Sequence, residues 1–103
     1  MNQNLLKTVK KMQEEMVAAQ QEIESTTFYA SAGGVVNVKV KGTKELVKVN
    51  IEEGFQADSA EDLEILGEMI VAACNQAYQE IDKTIKEKMG KYNDLLGSFG
   101  GLF

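Results

Sequence analysis

The chain has 103 residues and contains no histidine, arginine, proline or tryptophan, and only one cysteine. Without histidine, the usual general base near neutral pH is missing. Asp58, Glu61, Asp62 and Glu64 cluster where a helix is expected to start, and capping and solvation account for them there. No nucleophile, base and orienting group can be assembled, so the expectation is a non-enzyme with no small-molecule substrate. All eleven cations are lysines. Lysine holds a phosphate as a point charge, but the bidentate fork that reads guanine is absent. Cys74 has no disulfide partner and no Cys/His cluster offers a zinc site, so no metal or cofactor is implied. It reads as a small buried hydrophobe. No apolar run approaches the ~20 residues of a membrane span. The opening MNQNLLKTVKKMQEEM lacks the apolar block of a signal peptide, so a cytoplasmic protein is expected.

Alternating residues predict a hairpin. In Val35-Val36-Asn37-Val38-Lys39-Val40-Lys41, valines alternate with polar residues, and the pattern resumes from Lys44 to Ile51 after Gly42-Thr43. Period-two alternation buries one face of each strand. A type II′ turn at Gly42-Thr43 would pair Val38 with Val47 and Val36 with Val49. It would also gather Lys39, Lys41, Lys44 and Lys48 on the outer face. Thr26 to Ala32 reads as a preceding strand and Gly33-Gly34 as the turn between them.

Two helices flank this meander. From about Asn4 to Ser25, Leu5, Val9, Met12, Met16, Ala19 and Ile23 recur with a 3.5-residue period. Such a narrow stripe is the seam of a coiled coil or helical hairpin. Asp58 with Glu61, or Ser59 with Asp62, starts a second helix. Its stripe runs through Leu63, Leu66, Ile70, Ala73, Ala77, Ile81 and Ile85 toward Met89 and Gly90. A helix of about 30 residues spans about 45 Å, against a radius of gyration of about 13 Å for a compact chain of this size. Either that helix breaks or its end projects, and a homodimer is the natural way to bury what projecting helices expose. The whole chain, 1–103, is read as one domain, with 91–103 a flexible tail whose Phe99, Leu102 and Phe103 could dock on a partner.

Charge is segregated: residues 51–82 hold nine acids and no base, whereas 83–103 hold four lysines against two acids. Lys7, Lys10 and Lys11 lie together at the start of the first helix.

In order along the chain come Lys10-Lys11-Met12-Gln13-Glu14-Glu15-Met16, a Gly-Gly turn into Val-x-Val-x-Val, the Gly42 turn and Val-x-Val-x-Ile. Glu61-Asp62-Leu63-Glu64, Ala72-Ala73-Cys74-Asn75-Gln76-Ala77 and Lys86-Glu87-Lys88-Met89 follow, before a glycine-rich, Phe-terminated tail. In order, spacing and length this resembles the YbaB/EbfC family of bacterial nucleoid-associated proteins over nearly the whole chain. The resemblance implies an α+β protomer, α-β-β-β-α, with a long N-terminal helix, a three-stranded antiparallel sheet and a long C-terminal helix. It further implies a tweezer-like homodimer that binds double-stranded DNA without catalysis, in the cytoplasm or on the nucleoid. Family DNA contacts are attributed to the protruding helices, which here carry Lys7, Lys10 and Lys11 and Lys83, Lys86, Lys88 and Lys91. The sheet lysines 39, 41, 44 and 48 are weaker candidates. The chain departs from many relatives in lacking arginine, including on the third strand, where Val47-Lys48 stands in place of a basic pair.

The leading expectation is therefore a nucleoid protein that holds duplex DNA through lysine–phosphate contacts, with effects on nucleoid organisation and gene expression. The alternative is a protein-interaction module that uses the seam of the first helix and the apolar tail.

Overall fold

The seam of α1 (Gln3–Ser25) ends where Thr26 donates its N–H to the Ile23 carbonyl at 3.1 Å, and the chain turns into a meander of β1 (Thr27–Ala32), β2 (Val36–Lys41) and β3 (Leu46–Ile51). α2 (Ala60–Ser98) completes an α-β-β-β-α protomer of the α+β class. This is a computed structural model that describes residues 3–98, with side chains to residue 95. Phe99, Leu102 and Phe103 of the expected tail lie outside the described residues.

The sheet is antiparallel in the order β1-β2-β3. Alternation acts as expected: Val36, Val38 and Val40 point inward, and their neighbours in β1, Phe28, Ala30 and Ala32, share that face. Gly33 and Gly34 both adopt positive φ, 61° and 67°, the left-handed geometry that tight hairpin turns demand.

The β2–β3 register differs from the expected one. Val38 pairs with Val49 and Val36 with Ile51, not with Val47 and Val49. The reason lies in the turn. Lys44 donates its N–H to the Lys41 carbonyl at 2.7 Å and takes φ 72°, while the Lys41 N–H bonds the Glu45 carbonyl at 2.9 Å. The loop is thus three residues long, with the left-handed position at its third residue rather than at Gly42. Val40 then pairs with Leu46 and Lys39 with Lys48, which leaves Val47 as an extra residue in β3. From Lys48 to Ile51 the shift is two residues and preserves which side chains face inward. Before the bulge it is one, so Leu46 and not Val47 stands opposite inward-facing Val40, and Lys44 leaves the outer face for Asp82.

The first half of α2 covers the sheet. Ala73, Ala77 and Ile81 are fully buried against Val36, Val38 and Val40, the small alanines letting helix and sheet approach closely. Burial of Ile81 and each valine contributes about 1.5–3 kcal/mol. Ser59 caps the helix by accepting the Asp62 N–H at 3.1 Å, and Asp62 accepts the Asp58 N–H at 3.0 Å. Of the two possible starts, the fold uses Ser59 with Asp62.

α2 does not stop at Met89. It continues through Gly90 for 39 residues in all, about 58 Å at 1.5 Å per residue. Glycine in a helix costs only about 1 kcal/mol, and Tyr92 beyond it is buried on α1. Residues 91–98, read from sequence as the start of a tail, are therefore helical. α1 folds back along this second half, so Val9, Met12 and Ile23 are buried within their own chain, with Leu5, Met16 and Ala19 half-buried along the same stripe. The helical hairpin projects from the sheet as an arm. The molecule measures 70 × 21 × 15 Å with a radius of gyration of 20.1 Å.

Candidate nucleic-acid interface

Helical spacing decides where the arm's lysines stand. On α1, Lys7 and Lys10 lie roughly 200° and 140° around the helix from Leu5 at 100° per residue, away from the seam, while Lys11 borders the groove between α1 and α2. All three are exposed. On α2, Lys88 faces the α1 side and bonds Glu22 at 3.2 Å, clasping the two helices. Such an exposed pair contributes about 0–1 kcal/mol. Lys91 lies over the Tyr92 ring, 4.9 Å from its centroid, and shares a shallow depression with Lys11. Lys83 and Lys86 are exposed on the far side of α2. Among the described residues, Lys7, Lys10, Lys11, Lys83 and Lys86 have no ion-pair partner.

The arm, residues 3–25 with 83–95, holds seven lysines against six acids. The excess of lysine lies in 3–16 and 83–95, with seven against four, whereas 51–82 holds nine acids and no base. The formal charge of −5 thus lies at the base of a 70 Å molecule, and lysines outnumber acids in the arm segments 3–16 and 83–95.

The sheet lysines separate. Lys39 and Lys48 stand directly opposite each other on the outer face. Lys41 is paired with Glu45 at 3.4 Å. Lys44, turned by its left-handed backbone, reaches Asp82 of α2 at 2.7 Å. Two of the four are therefore compensated by neighbouring carboxylates. Tyr29 joins Lys39 on the outer face and is 68% exposed. The sequence reading did not single it out, although its outward position between Phe28 and Ala30 was visible in the strand pattern.

Among the described residues, no group of three or more His, Cys, Asp or Glu side chains could hold a metal ion, and no helix is long and apolar enough to cross a membrane.

A model of the YbaB/EbfC DNA-binding family matches residues 1–96. The chain belongs to this family. A nucleoid-associated protein of Clostridium novyi is 43% identical over 89 residues, covering 85% of this chain and 76% of that protein. Another, from Agathobacter rectalis, is 41% identical over 101 residues, covering 97% and 86%. The family and these relatives carry names for DNA binding and nucleoid association, not for a reaction. A crystal structure of an uncharacterised Helicobacter pylori protein superposes with a TM-score of 0.68 at 24% identity, covering 92% of this chain and 98% of that one. That likeness concerns the fold alone.

Proposed function

We propose that the protein is a non-enzymatic, nucleoid-associated, homodimeric binder of double-stranded DNA, and that the lysines of the helical arm contact its phosphates. The observation that carries this reading is the arm itself: five lysines without ion-pair partners stand on its outward faces, in a family named for DNA binding. Contact with phosphates fixes position but carries no sequence information, which suits a surface without arginine. In the cell the protein would sit in the cytoplasm on the nucleoid and act on its organisation and on gene expression through occupancy.

A second copy fits a specific apolar surface. α2 covers β1 and β2 and leaves much of β3 open, where Leu46, Val47 and Ile51 are exposed. On α2, Val71, Cys74, Tyr78 and Asp82 form one stripe at spacings of 3, 4 and 4. Lys44, at the end of the β2–β3 loop, meets Asp82, so that stripe overlooks β3. Val71 is 58% exposed, as is Leu63 two turns before it. Pairing this surface with its copy would leave two cationic arms free, as in tweezers.

The protein-interaction alternative loses part of its support. Val9, Met12 and Ile23 already pack within the chain, and a partner would have to displace α2 to reach them.

Fluorescence anisotropy of a labelled duplex tests the proposal. With four or more phosphates neutralised, affinity should fall about a hundredfold or more between about 50 and 200 mM salt, and each arm lysine changed to glutamine should lower the salt slope by about 1. Absence of duplex binding at the low-salt end would overturn it.

A further inference from the structure

Among the described residues, no helix covers the outer face of the sheet, and its centre is not built for stability. Tyr29 exposes 68% of its surface there, with the Lys39 ammonium 5.8 Å from its ring centroid. Lys48 stands opposite Lys39 across the strands, and neither has a carboxylate partner among the described residues. Like charges directly opposed on a sheet are destabilising, and a tyrosine ring left in water forfeits most of the contribution its burial would make. Both costs fall at one place, a depression of about 400 Å³ whose lining also includes Asn50. That volume lies within the range of small-ligand pockets, about 300–1,000 Å³.

The chemistry of the lining selects its occupant. A tyrosine ring with one ammonium over it and a second one strand further across suits an aromatic base joined to phosphate, and an amide beside them can meet a base edge. Bases within a duplex are stacked on each other and offer no free π face, whereas an unpaired base does. The geometry points to binding of single-stranded DNA on the outer sheet face, one unpaired base stacking on Tyr29 and its flanking phosphates meeting Lys39 and Lys48. The surface is distinct from the arm proposed to hold duplex. One carboxylate bears on the lining: Glu52 accepts the Asn37 amide N–H at 2.8 Å, while the Asn37 carbonyl oxygen accepts the Ser31 hydroxyl at 2.6 Å. Glu52 opposes a phosphate there, and Glu52→Gln should tighten binding.

The test is anisotropy of a labelled oligothymidine and of a labelled duplex, with the full-length protein and its variants. Tyr29→Ala should weaken oligothymidine binding about tenfold, in the range of base–aromatic stacking, while Tyr29→Phe retains it. Lys39→Gln with Lys48→Gln should lower the salt slope on the single strand by about 1.4. None of these changes should alter duplex affinity. Unchanged oligothymidine binding by Tyr29→Ala, or an equal loss on duplex, overturns the inference. Free thymidine monophosphate that displaces the oligomer at micromolar concentration would also overturn it, in favour of a mononucleotide site. The arm variants separate the two surfaces: if they abolish duplex binding and spare oligothymidine, both assignments stand. If the wild type binds oligothymidine but no duplex, only the arm assignment fails.

Discussion

Gly42 shows how one residue can join two elements. Its N–H bonds the Thr26 carbonyl at 3.0 Å, and a Cβ built there would overlap the Ile23 carbonyl at the end of α1. Because the obstacle is backbone, it cannot swing aside as a side chain would. Gly42→Ala should therefore destabilise the fold by about 1–3 kcal/mol, as overpacking does, read as a lower denaturant midpoint. Gly90 is the counter-example. A Cβ there meets nothing within 4 Å, so Gly90→Ala should stabilise by about 0.5–1 kcal/mol through helix propensity. From sequence both glycines read as punctuation, one a turn and the other a helix end. The first is buried in a close approach and the second is a tolerated gap in a continuous helix, a distinction set by the neighbours of each.

At the scale of elements, α2 has two halves with different duties. The first packs on a sheet through Ala73, Ala77 and Ile81, while the second packs on a single helix, α1, through residues such as Tyr92. Fewer buried contacts give lower local stability. Hydrogen exchange should protect the amides around Ala73–Ile81 to the global limit and release those around Lys86–Tyr92 sooner. Met12→Ala should accelerate exchange in the arm alone, and uniform acceleration along α2 would show the arm and base to be one cooperative unit. The strict stripe from Leu5 to Ile23 was legible as a seam because a 3.5-residue period implies a facing helix. Its partner was not legible, since the same stripe suits a helix of the same chain or of another. The β2–β3 pairing was not legible for a related reason: alternation indicates faces, while a left-handed Lys44 fixes register, and no residue type announced it.

Over the whole molecule, charge and apolar surface are set at different places. The arm concentrates lysines and the base concentrates acids. The anionic base should be repelled by a polyanion while the arm is attracted, so the molecule's field orients the approach. The uncovered flank of α2 and β3 predicts self-association. Sedimentation velocity should find a dimer for the wild type and a monomer for Val71→Glu, whose side chain is exposed in the protomer and leaves the core intact. A wild type that sediments as a monomer at micromolar concentration would remove the homodimer from the proposal.

The sequence by itself determined the element order, the inward faces of β1 and β2, the α1 seam and the segregation of charge, because these are periodic or additive properties of the chain. It also carried the family resemblance that the match over residues 1–96 bears out. Tertiary structure decided the rest. It buried the seam against α2, carried α2 past Gly90 to Ser98, and slid β3 by two residues. It also dispersed the four sheet lysines, sending Lys44 to Asp82 and setting Lys39 against Lys48 beside Tyr29. Each depends on which backbone lies opposite which side chain, information that no single segment contains.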